Sequence, residues 1–337
     1  MKKVFGQLPN GETAHLYTIA SGPITAAITD FGGSLVSLWV PDKDGNLADV
    51  VLGYDSPPDY LKDDVFLGAP VGRNANRIGD ACFRLGGKNY FLFVNNGKNN
   101  LHSGPDFYHH RMWDVVAHTE SSITLHLFSP HGDQGFPGNA HIQMTYALEG
   151  SALRISYEAT ADRDTVFNMT NHSYFNLAGH QHPEKAYDQV LSMAARFYTP
   201  TDTGAIPTGE QRSVVGTPMD FRKPKRIGRD VFADDEQLKL ANGFDHNFEV
   251  FCNPCAILSD PESGRTLAIS TDCPGIQFYS GNFLKGTGKG GIDYGARSGI
   301  ALETQYFPNA LNQPGWKQPI VKAGQIYKST TTYKFTW

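Results

Sequence analysis

Hydrophobic and polar residues alternate along several stretches of the chain, as they do in β-strands that bury one face. In residues 141–148 every second side chain is a large apolar one, and after Glu149-Gly150-Ser151 the alternation resumes through residues 153–158. This pattern predicts a β-hairpin. Residues 83–85 and 90–92, separated by Gly86-Gly87-Lys88, predict a second hairpin. Residues 123–127 and 327–337 also have a period of two.

Helical periodicity is scarce, and only residues 57–62 and 231–240 are candidates for short helices. The chain is rich in turn formers and rings, with 35 Gly, 20 Pro and 12% aromatic residues. No fixed-period repeat or Ser/Gly linker divides it. We therefore predict an all-β protein with few short helices: one large antiparallel domain spanning residues 1–337, built as a sandwich of broad sheets.

Charge and composition limit which binding partners and which cellular compartment we expect. The 29 Lys and Arg residues against 34 Asp and Glu residues give a net charge of −5, so nucleic acid and anionic membranes are not expected partners. No apolar run approaches the roughly 18 residues of a membrane span. The basic N-terminus has no apolar segment behind it, and four cysteines are too few for a disulfide framework. We expect a cytoplasmic protein.

Two further motifs could suggest a cofactor, but neither has the necessary context. Cys252 and Cys255 form a Cys-x-x-Cys motif between strand-like stretches, while Cys82 and Cys273 stand alone. A zinc site needs a second ligand pair, and a thioredoxin-type motif should open a helix. Residues 286–291 match the Gly-x-Gly-x-x-Gly pattern outside any βαβ unit. We predict no metal and no nucleotide cofactor.

Five short stretches concentrate amides, histidines, carboxylates and aromatic rings. Sugars favour this mixture, because hydroxyl groups need paired donors and acceptors while C–H faces pack on aromatic surfaces. The stretches are residues 74–78, 95–102, 168–177, 243–248, and 277–282 together with 302–308. Composition alone thus indicates a polar, aromatic-lined site that suits a carbohydrate.

The third stretch, residues 168–177, reads Asn-Met-Thr-Asn-His-Ser-Tyr-Phe-Asn-Leu and resembles the signature of the aldose 1-epimerase (galactose mutarotase) family. Five other motifs of that family occur in the family order. They are Asn-Ala-Asn-Arg-Ile (74–78), Asn-Leu-His (100–102), Asp-Gln-Gly-Phe-Pro-Gly (133–138), Gly-Phe-Asp-His-Asn-Phe (243–248) and Leu-Glu-Thr-Gln (302–305). Six motifs in order are far more specific than any one of them.

The resemblance implies a large β-supersandwich and an isomerase that interconverts the α and β anomers of free aldohexoses such as D-glucose and D-galactose. By matching positions it implies His172 as general acid, Glu303 as general base and His102 as a second active-site histidine. It further implies substrate contacts by His102 and by Asn76, Arg77, Tyr174, Asp245 and Gln277. The chain departs from the family after His102, where Ser103-Gly104 replaces the common Gly-Gly.

The chemistry requires these residue types. Ring opening removes a proton from the anomeric hydroxyl and adds one to the ring oxygen, so two groups in opposite protonation states are needed. At ordinary pKa values of about 4.3 for Glu and about 6.5 for His, that state dominates only in a narrow acidic range. We expect a nearby carboxylate, Glu303 itself or Asp245, to favour the His172 imidazolium and widen this range. The reaction is redox-neutral and needs neither metal nor nucleotide.

Several alternatives stay open at this level. Arg77 and Asp245 could form a structural ion pair with each other. A sugar-binding module of the same fold would need neither His172 nor Glu303, and a glycoside hydrolase would use two carboxylates, such as Asp245 and Glu303. The preferred aldose is open, and so is the choice between monomer and homodimer.

Overall fold

A computed structural model describes residues 1–337, and antiparallel β-strands dominate it. The strands of the first half of the chain are β1 (Lys2–Gln7), β2 (Thr13–Ser21), β3 (Ile24–Thr29), β4 (Leu35–Pro41), β5 (Leu47–Asp49), β6 (Ala69–Val71), β7 (Arg77–Ile78), β8 (Cys82–Leu85), β9 (Lys88–Phe91), β10 (Asn100–Leu101), β11 (Asp114–His118), β12 (Ser122–Ser129), β13 (Ala140–Glu149) and β14 (Ala152–Ala161). Those of the second half are β15 (Thr165–Val166), β16 (Thr170–His172), β17 (Tyr174–Phe175), β18 (Val190–Met193), β19 (Phe197–Thr199), β20 (Arg212–Ser213), β21 (Lys225–Arg226), β22 (Asp245–Glu249), β23 (Ala256–Ser259), β24 (Thr266–Thr271), β25 (Gly275–Tyr279), β26 (Ile300–Gln305), β27 (Ile320–Val321) and β28 (Tyr327–Thr336).

Three large sheets carry most of these strands. The first has nine strands in the order β11-β12-β13-β14-β28-β24-β23-β18-β21. The second has six, in the order β17-β26-β25-β22-β19-β20, and the third is a meander of β1 to β5. The hairpin predicted over 141–158 is the β13–β14 pair, and the hairpin predicted around residues 86–88 is the β8–β9 pair. Both hairpin predictions are confirmed.

The apolar faces of the three sheets meet in one hydrophobic core. Ile28 from the five-stranded sheet, Met144 from the nine-stranded sheet and Phe278 from the six-stranded sheet all belong to it. Each of these three side chains is fully buried. Alternation along a strand sends every second side chain to the core, so the opposite face of the same strand is available for polar groups. The predicted all-β sandwich is confirmed.

Helices are few and short, as predicted. The first, α1, spans Pro57–Leu61 and matches the prediction for residues 57–62. The second, α2, spans only Glu236–Ala241, so the prediction of a helix from residue 231 is wrong at its start. The Asp235 side chain accepts hydrogen bonds from the first-turn backbone N–H groups and begins the helix there. Seven 3₁₀ turns complete the helical content, and none of the helices is both long and apolar enough to cross a membrane.

A fully buried guanidinium group, that of Arg73, holds the segment that carries the matched 133–138 motif. Its Nη1 donates to the carbonyl oxygens of Pro137 at 2.7 Å and Gly138 at 3.0 Å. Its Nη2 donates to the Ser129 hydroxyl at 2.6 Å. Main-chain carbonyls cannot find other donors in a dry interior, so this motif serves the fold by enclosing Arg73.

We expect Arg73→Met to lower the free energy of unfolding by about 3 kcal/mol or more, because several buried acceptors lose their donor at about 1–3 kcal/mol each. Equilibrium denaturation in urea measures this change. Arg222→Met is the matched control, since Arg222 forms a partly exposed pair with Asp220. This substitution should change stability by less than about 1 kcal/mol. An equally small effect of Arg73→Met would contradict this account.

Candidate active site

The two residues predicted to transfer protons come from different sheets. His172 ends β16, which pairs with β6 through the register His172–Ala69. Glu303 lies in the middle of β26, a strand on which every residue is buried. Its neighbours Leu302 and Ile300 belong to the hydrophobic core. Leu302 therefore faces the core and Glu303 the opposite side of the six-stranded sheet.

That opposite face gathers the polar residues of three adjacent strands. Gln277 on β25 is directly opposite Glu303, and Tyr279 on β25 is directly opposite Asp245 on β22. Because directly opposed residues of an antiparallel pair share a face, these four side chains lie on one side of the sheet. The register explains how motifs separated by up to 58 positions in sequence come to one place.

A cavity of about 250 Å³ opens on this face. It includes every sequence-predicted site residue except Gln277. The lining residues are Asp64, Val65, Phe66, Asn76, Arg77, Asn96, Leu101, His102, His172, Tyr174, Asp245, Tyr279, Phe283 and Glu303. A space of this size, lined by both rings and hydrogen-bonding groups, suits a single small polar ligand.

His172 and Glu303 are both buried at the wall of the cavity. Nε2 of His172 lies 3.6 Å from Oε1 of Glu303, and the two side chains are 6% and 3% exposed. Nδ1 of His172 and Oε2 of Glu303 have no hydrogen-bond partner within the protein. Buried polar atoms are nearly always paired in proteins, so an unpaired carboxylate oxygen at a cavity wall is consistent with a ligand partner.

Burial controls the protonation of this pair. It raises the pKa of Glu303 well above the ordinary value, and nearby Asp245 raises it further while Arg77 lowers it. Burial also lowers the pKa of His172 to about 4, although Asp245 acts to raise it. Asp245 thus acts in the expected direction, but desolvation outweighs its attraction, so the expected widening of the imidazolium range is wrong for the free protein. Both shifts favour the uncharged forms, so a proton is favoured on Glu303 rather than on His172.

His102 is held in one tautomer by the main chain. The backbone N–H of Asn76 donates to Nδ1 of His102 at 3.1 Å, and burial lowers the pKa of His102 well below the ordinary value. The ring is therefore neutral, with its proton on Nε2. One ligand atom from each of His102, His172 and Glu303 lies within 4.8 Å of the others, a spacing that could suit a metal ion. However, His102 has no free nitrogen lone pair, so this donor set fits proton transfer better than metal binding.

The loop around His102 adopts left-handed backbone conformations, which residues other than glycine seldom adopt. His102 has φ 52° and Ser103 has φ 62°. The Ser103 hydroxyl accepts from the Asn74 N–H at 2.9 Å and donates to the Asn74 carbonyl at 3.0 Å. These two bonds offset the strain at a position where the family commonly has Gly. The departure from the family pattern thus keeps the loop in the turn that glycine would allow.

Arg77 and Asp245 line the cavity and also pair with each other. Nη1 of Arg77 lies 3.9 Å from Oδ2 of Asp245, and Nε of Arg77 donates to Asn96 Oδ1 at 3.0 Å. The other carboxylate oxygen of Asp245 accepts from Nε2 of Gln277 at 2.6 Å. Gln277 therefore lies behind Asp245, and this placement gives no direct support to the substrate contact predicted for it.

Comparison with known proteins assigns the chain to a family. Residues 15–334 match the family model of aldose 1-epimerase. The chain belongs to the aldose 1-epimerase family. It is 40% identical to the galactose mutarotase of Bos taurus over 99% of this chain and 98% of that protein. It is 36% identical to the aldose 1-epimerase of Escherichia coli K12 over 97% of this chain and 96% of that enzyme.

Solved structures give the same assignment. An aldose epimerase homologue from C. elegans superposes with a TM-score of 0.89 at 32% identity, covering 96% of this chain and 99% of that one. The galactose 1-epimerase of Lactobacillus acidophilus superposes with a TM-score of 0.87 at 31% identity, covering 100% and 98%. The family and fold predicted from sequence are confirmed.

The sequence-based prediction for this aldose 1-epimerase family member did not include several residues that line the cavity. Asn96 and Tyr279 lie within the polar stretches, so their neighbourhood was found although they were not singled out. Phe283 is 60% exposed at the cavity and follows the fifth stretch by one residue. Phe66 carries no motif signal, because only the folded loop brings its ring to His172. Tyr174, by contrast, was predicted: it lines the cavity, and its hydroxyl donates a hydrogen bond to the Val65 carbonyl at 2.9 Å.

The motifs that were set aside lie away from the cavity. Cys252 is exposed and Cys255 is buried, in the connection between β22 and β23. In the glycine-rich segment 286–291, the Lys289 ammonium is buried and donates to Asp49 Oδ2 at 2.6 Å. A buried ion pair with Asp49 therefore holds this segment against the five-stranded sheet.

We expect Glu303→Gln to be more stable than the wild type by an amount that grows with pH. Between the ordinary and the raised pKa, folded Glu303 keeps a proton that the unfolded chain releases. Wild-type stability therefore falls as pH rises, by up to about 1.4 kcal/mol per pH unit. Glutamine does not titrate. Thermal unfolding of both proteins at pH 5 and pH 8 measures the gap, and a gap that does not widen would show that the Glu303 pKa is not raised.

Proposed function

We propose that this protein is an aldose 1-epimerase that interconverts the α and β anomers of free aldohexoses such as D-glucose and D-galactose. The observation that carries the proposal is the buried His172–Glu303 pair, 3.6 Å apart, at the wall of a cavity of about 250 Å³. The names of the bovine and E. coli relatives support the same activity.

Glu303 and His172 act on the two oxygens attached to the anomeric carbon. Glu303 removes the proton of the anomeric hydroxyl, and His172 gives a proton to the ring oxygen as the bond from C1 to that oxygen breaks. The product is the open-chain aldehyde. Rotation about C1–C2 presents the other face of the carbonyl, and reversal of both transfers closes the other anomer. In each half-reaction the sugar loses one proton to one residue and gains one from the other, so no net proton is consumed.

Sugar binding prepares the pair for this reaction. In the free protein burial favours a proton on Glu303 rather than on His172, because it raises the pKa of Glu303 and lowers that of His172. Hydroxyl groups that donate to a carboxylate stabilise its ionised form. We infer that the bound hexose moves the proton from Glu303 to His172, which produces the base and the acid together. The carboxylate is then formed only when the substrate covers it.

The other cavity residues orient the sugar. His102, neutral with its proton on Nε2, donates a hydrogen bond to a sugar oxygen. Arg77 and Asp245 bind ring hydroxyls as donor and acceptor, and Asn76 adds an amide at the same wall. The Tyr174 ring packs on an apolar C–H face. We propose that Gln277 acts through Asp245, which it holds by a 2.6 Å hydrogen bond.

The remaining expectations from sequence form part of the proposal. They are one domain over residues 1–337, a cytoplasmic location, a monomer or homodimer, no cofactor and no nucleic-acid partner. A sugar-binding module would leave the buried His172–Glu303 pair without a role. A glycoside hydrolase based on Asp245 and Glu303 would leave His172 without one.

We expect Glu303→Gln and His172→Asn each to lower kcat by about 10²–10⁴-fold, the usual contribution of one acid–base group. Polarimetry on freshly dissolved α-D-glucose and α-D-galactose measures the rate, and circular dichroism checks folding. A folded Glu303→Gln protein with near wild-type kcat would place the base elsewhere. A wild-type protein that binds hexose without accelerating mutarotation would be a binding module, and one that cleaves glycosides instead would be a hydrolase.

Arg77→Ala and Asp245→Ala are expected to act mainly on KM, because they remove ground-state contacts with the sugar. The same polarimetric assay gives KM and kcat for each variant. Arg222→Ala and Asp220→Ala are the matched controls, since this pair is outside the cavity. A fall in kcat alone, with KM unchanged, would assign Arg77 or Asp245 to the chemical step.

A further inference from the structure

A second buried carboxyl group, that of Asp63, lies just outside the cavity and takes no part in the proton transfers above. The residue is 3% exposed. Its Oδ1 accepts from the backbone N–H of Val65 at 3.0 Å, and its Oδ2 accepts from that of Leu67 at 2.7 Å. The Tyr54 hydroxyl donates to Oδ1 at 3.3 Å. The carboxyl group therefore fixes the main chain on both sides of Phe66.

Phe66 is held in a conformation that a phenylalanine seldom adopts. Its φ is 64°, in the left-handed region that favours glycine. Its ring stacks on the His172 imidazole with centroids 5.7 Å apart and planes at 23°. It also packs on His102, with centroids 4.6 Å apart. One apolar ring thus covers both active-site histidines.

We propose that Asp63 is a positioning residue: it holds Phe66 in the left-handed conformation, and the Phe66 ring keeps water away from His172. In its kinetic consequences this inference rests on the proposed function. A strained residue of this kind persists only where its surroundings over-determine it. Here those surroundings are the two N–H groups bound by Asp63 and the Tyr174 hydroxyl bound to the Val65 carbonyl at 2.9 Å.

Asparagine cannot replace Asp63 in this role. The carboxyl group offers an acceptor at each oxygen, whereas an amide has one acceptor and would turn its NH₂ group toward a backbone N–H. Asp63→Asn therefore releases one side of the Phe66 loop. Phe66→Gly is the complementary variant, because glycine accepts a positive φ without strain and removes only the ring.

The direction in which the His172 pKa changes shows whether Asp63 acts by positioning Phe66 or through its own charge. Burial raises the pKa of Asp63 to about 7, so this group is mostly neutral where His172 titrates. Loss of a negative charge would in any case lower the pKa of His172, whereas entry of water raises it toward its ordinary value. The titratable groups that face His172 are Glu303, Asp245, His102, His109, Tyr174 and Tyr279. None of them is altered by either variant.

The first test is an NMR titration of the His172 imidazole in the free protein, with its signal assigned by its loss in His172→Asn. We expect the pKa of His172 to rise by about one unit in Asp63→Asn and in Phe66→Gly. Asp59→Asn is the matched control, since Asp59 is an exposed residue of α1 and should cause no shift. An unchanged or lowered pKa in both variants overturns the proposal. This test needs no activity, so it is independent of the proposed function.

The second test is a double-mutant cycle on polarimetric kcat. We expect each single variant to lower kcat about 10-fold or more, since small misplacements at a reacting centre are costly. If Asp63 acts through Phe66, then Asp63→Asn has little further effect in the Phe66→Gly protein. Equal effects of Asp63→Asn in the two backgrounds overturn the proposal. Wild type inactive in this assay would instead count against the proposed function.

If Asp63→Asn does not fold, Tyr54→Phe replaces it in the NMR titration. The proposal then requires a smaller rise of the His172 pKa in this variant.

Discussion

The candidate active site depends on keeping one carboxyl group and one imidazole group nearly free of water at a separation of 3.6 Å. Water would move the pKa values of both groups back toward their ordinary values and would remove the preference for a proton on Glu303 rather than on His172. Dry surroundings favour the neutral forms of both groups. In the mechanism that we propose, a sugar that fills the cavity supplies hydroxyl groups that stabilise the ionised pair. Under that proposal, the burial that suppresses charge in the free protein couples charge formation to substrate binding.

The fold supplies this environment by using both faces of one sheet. On β26 and β25 the residues Leu302 and Phe278 face the hydrophobic core, while Glu303 and Gln277 share the opposite face, on which Glu303 lines the cavity. A shift of one residue in strand register would exchange these two sets. Packing of the core face therefore also fixes the position of the Glu303 carboxyl group.

Part of the remaining wall is irregular backbone that specific hydrogen bonds hold in place. Asn76, His102, Ser103 and Phe66 all have positive φ. Each lies next to a main-chain group that a side chain binds: the Asn76 N–H is bound by His102, and the amides beside Phe66 are bound by Asp63. Strained conformations of this kind cluster at functional sites because they direct side chains where regular strands cannot. The site thus combines residues on a regular sheet with loop residues that individual hydrogen bonds hold in place.

The sequence by itself determined the elements whose pattern is local. Alternation identified the β13–β14 hairpin, and short motifs identified His172, Glu303, His102 and the polar stretches around them. Only the tertiary structure decided how these groups behave, because pKa shifts depend on burial that no local pattern encodes. It reversed the expected protonation of His172, placed Gln277 behind Asp245, and brought Phe66 and Asp63 to the site without any motif. Desolvation and cross-strand register arise from residues far apart in sequence, so they exist only once the sheets have packed.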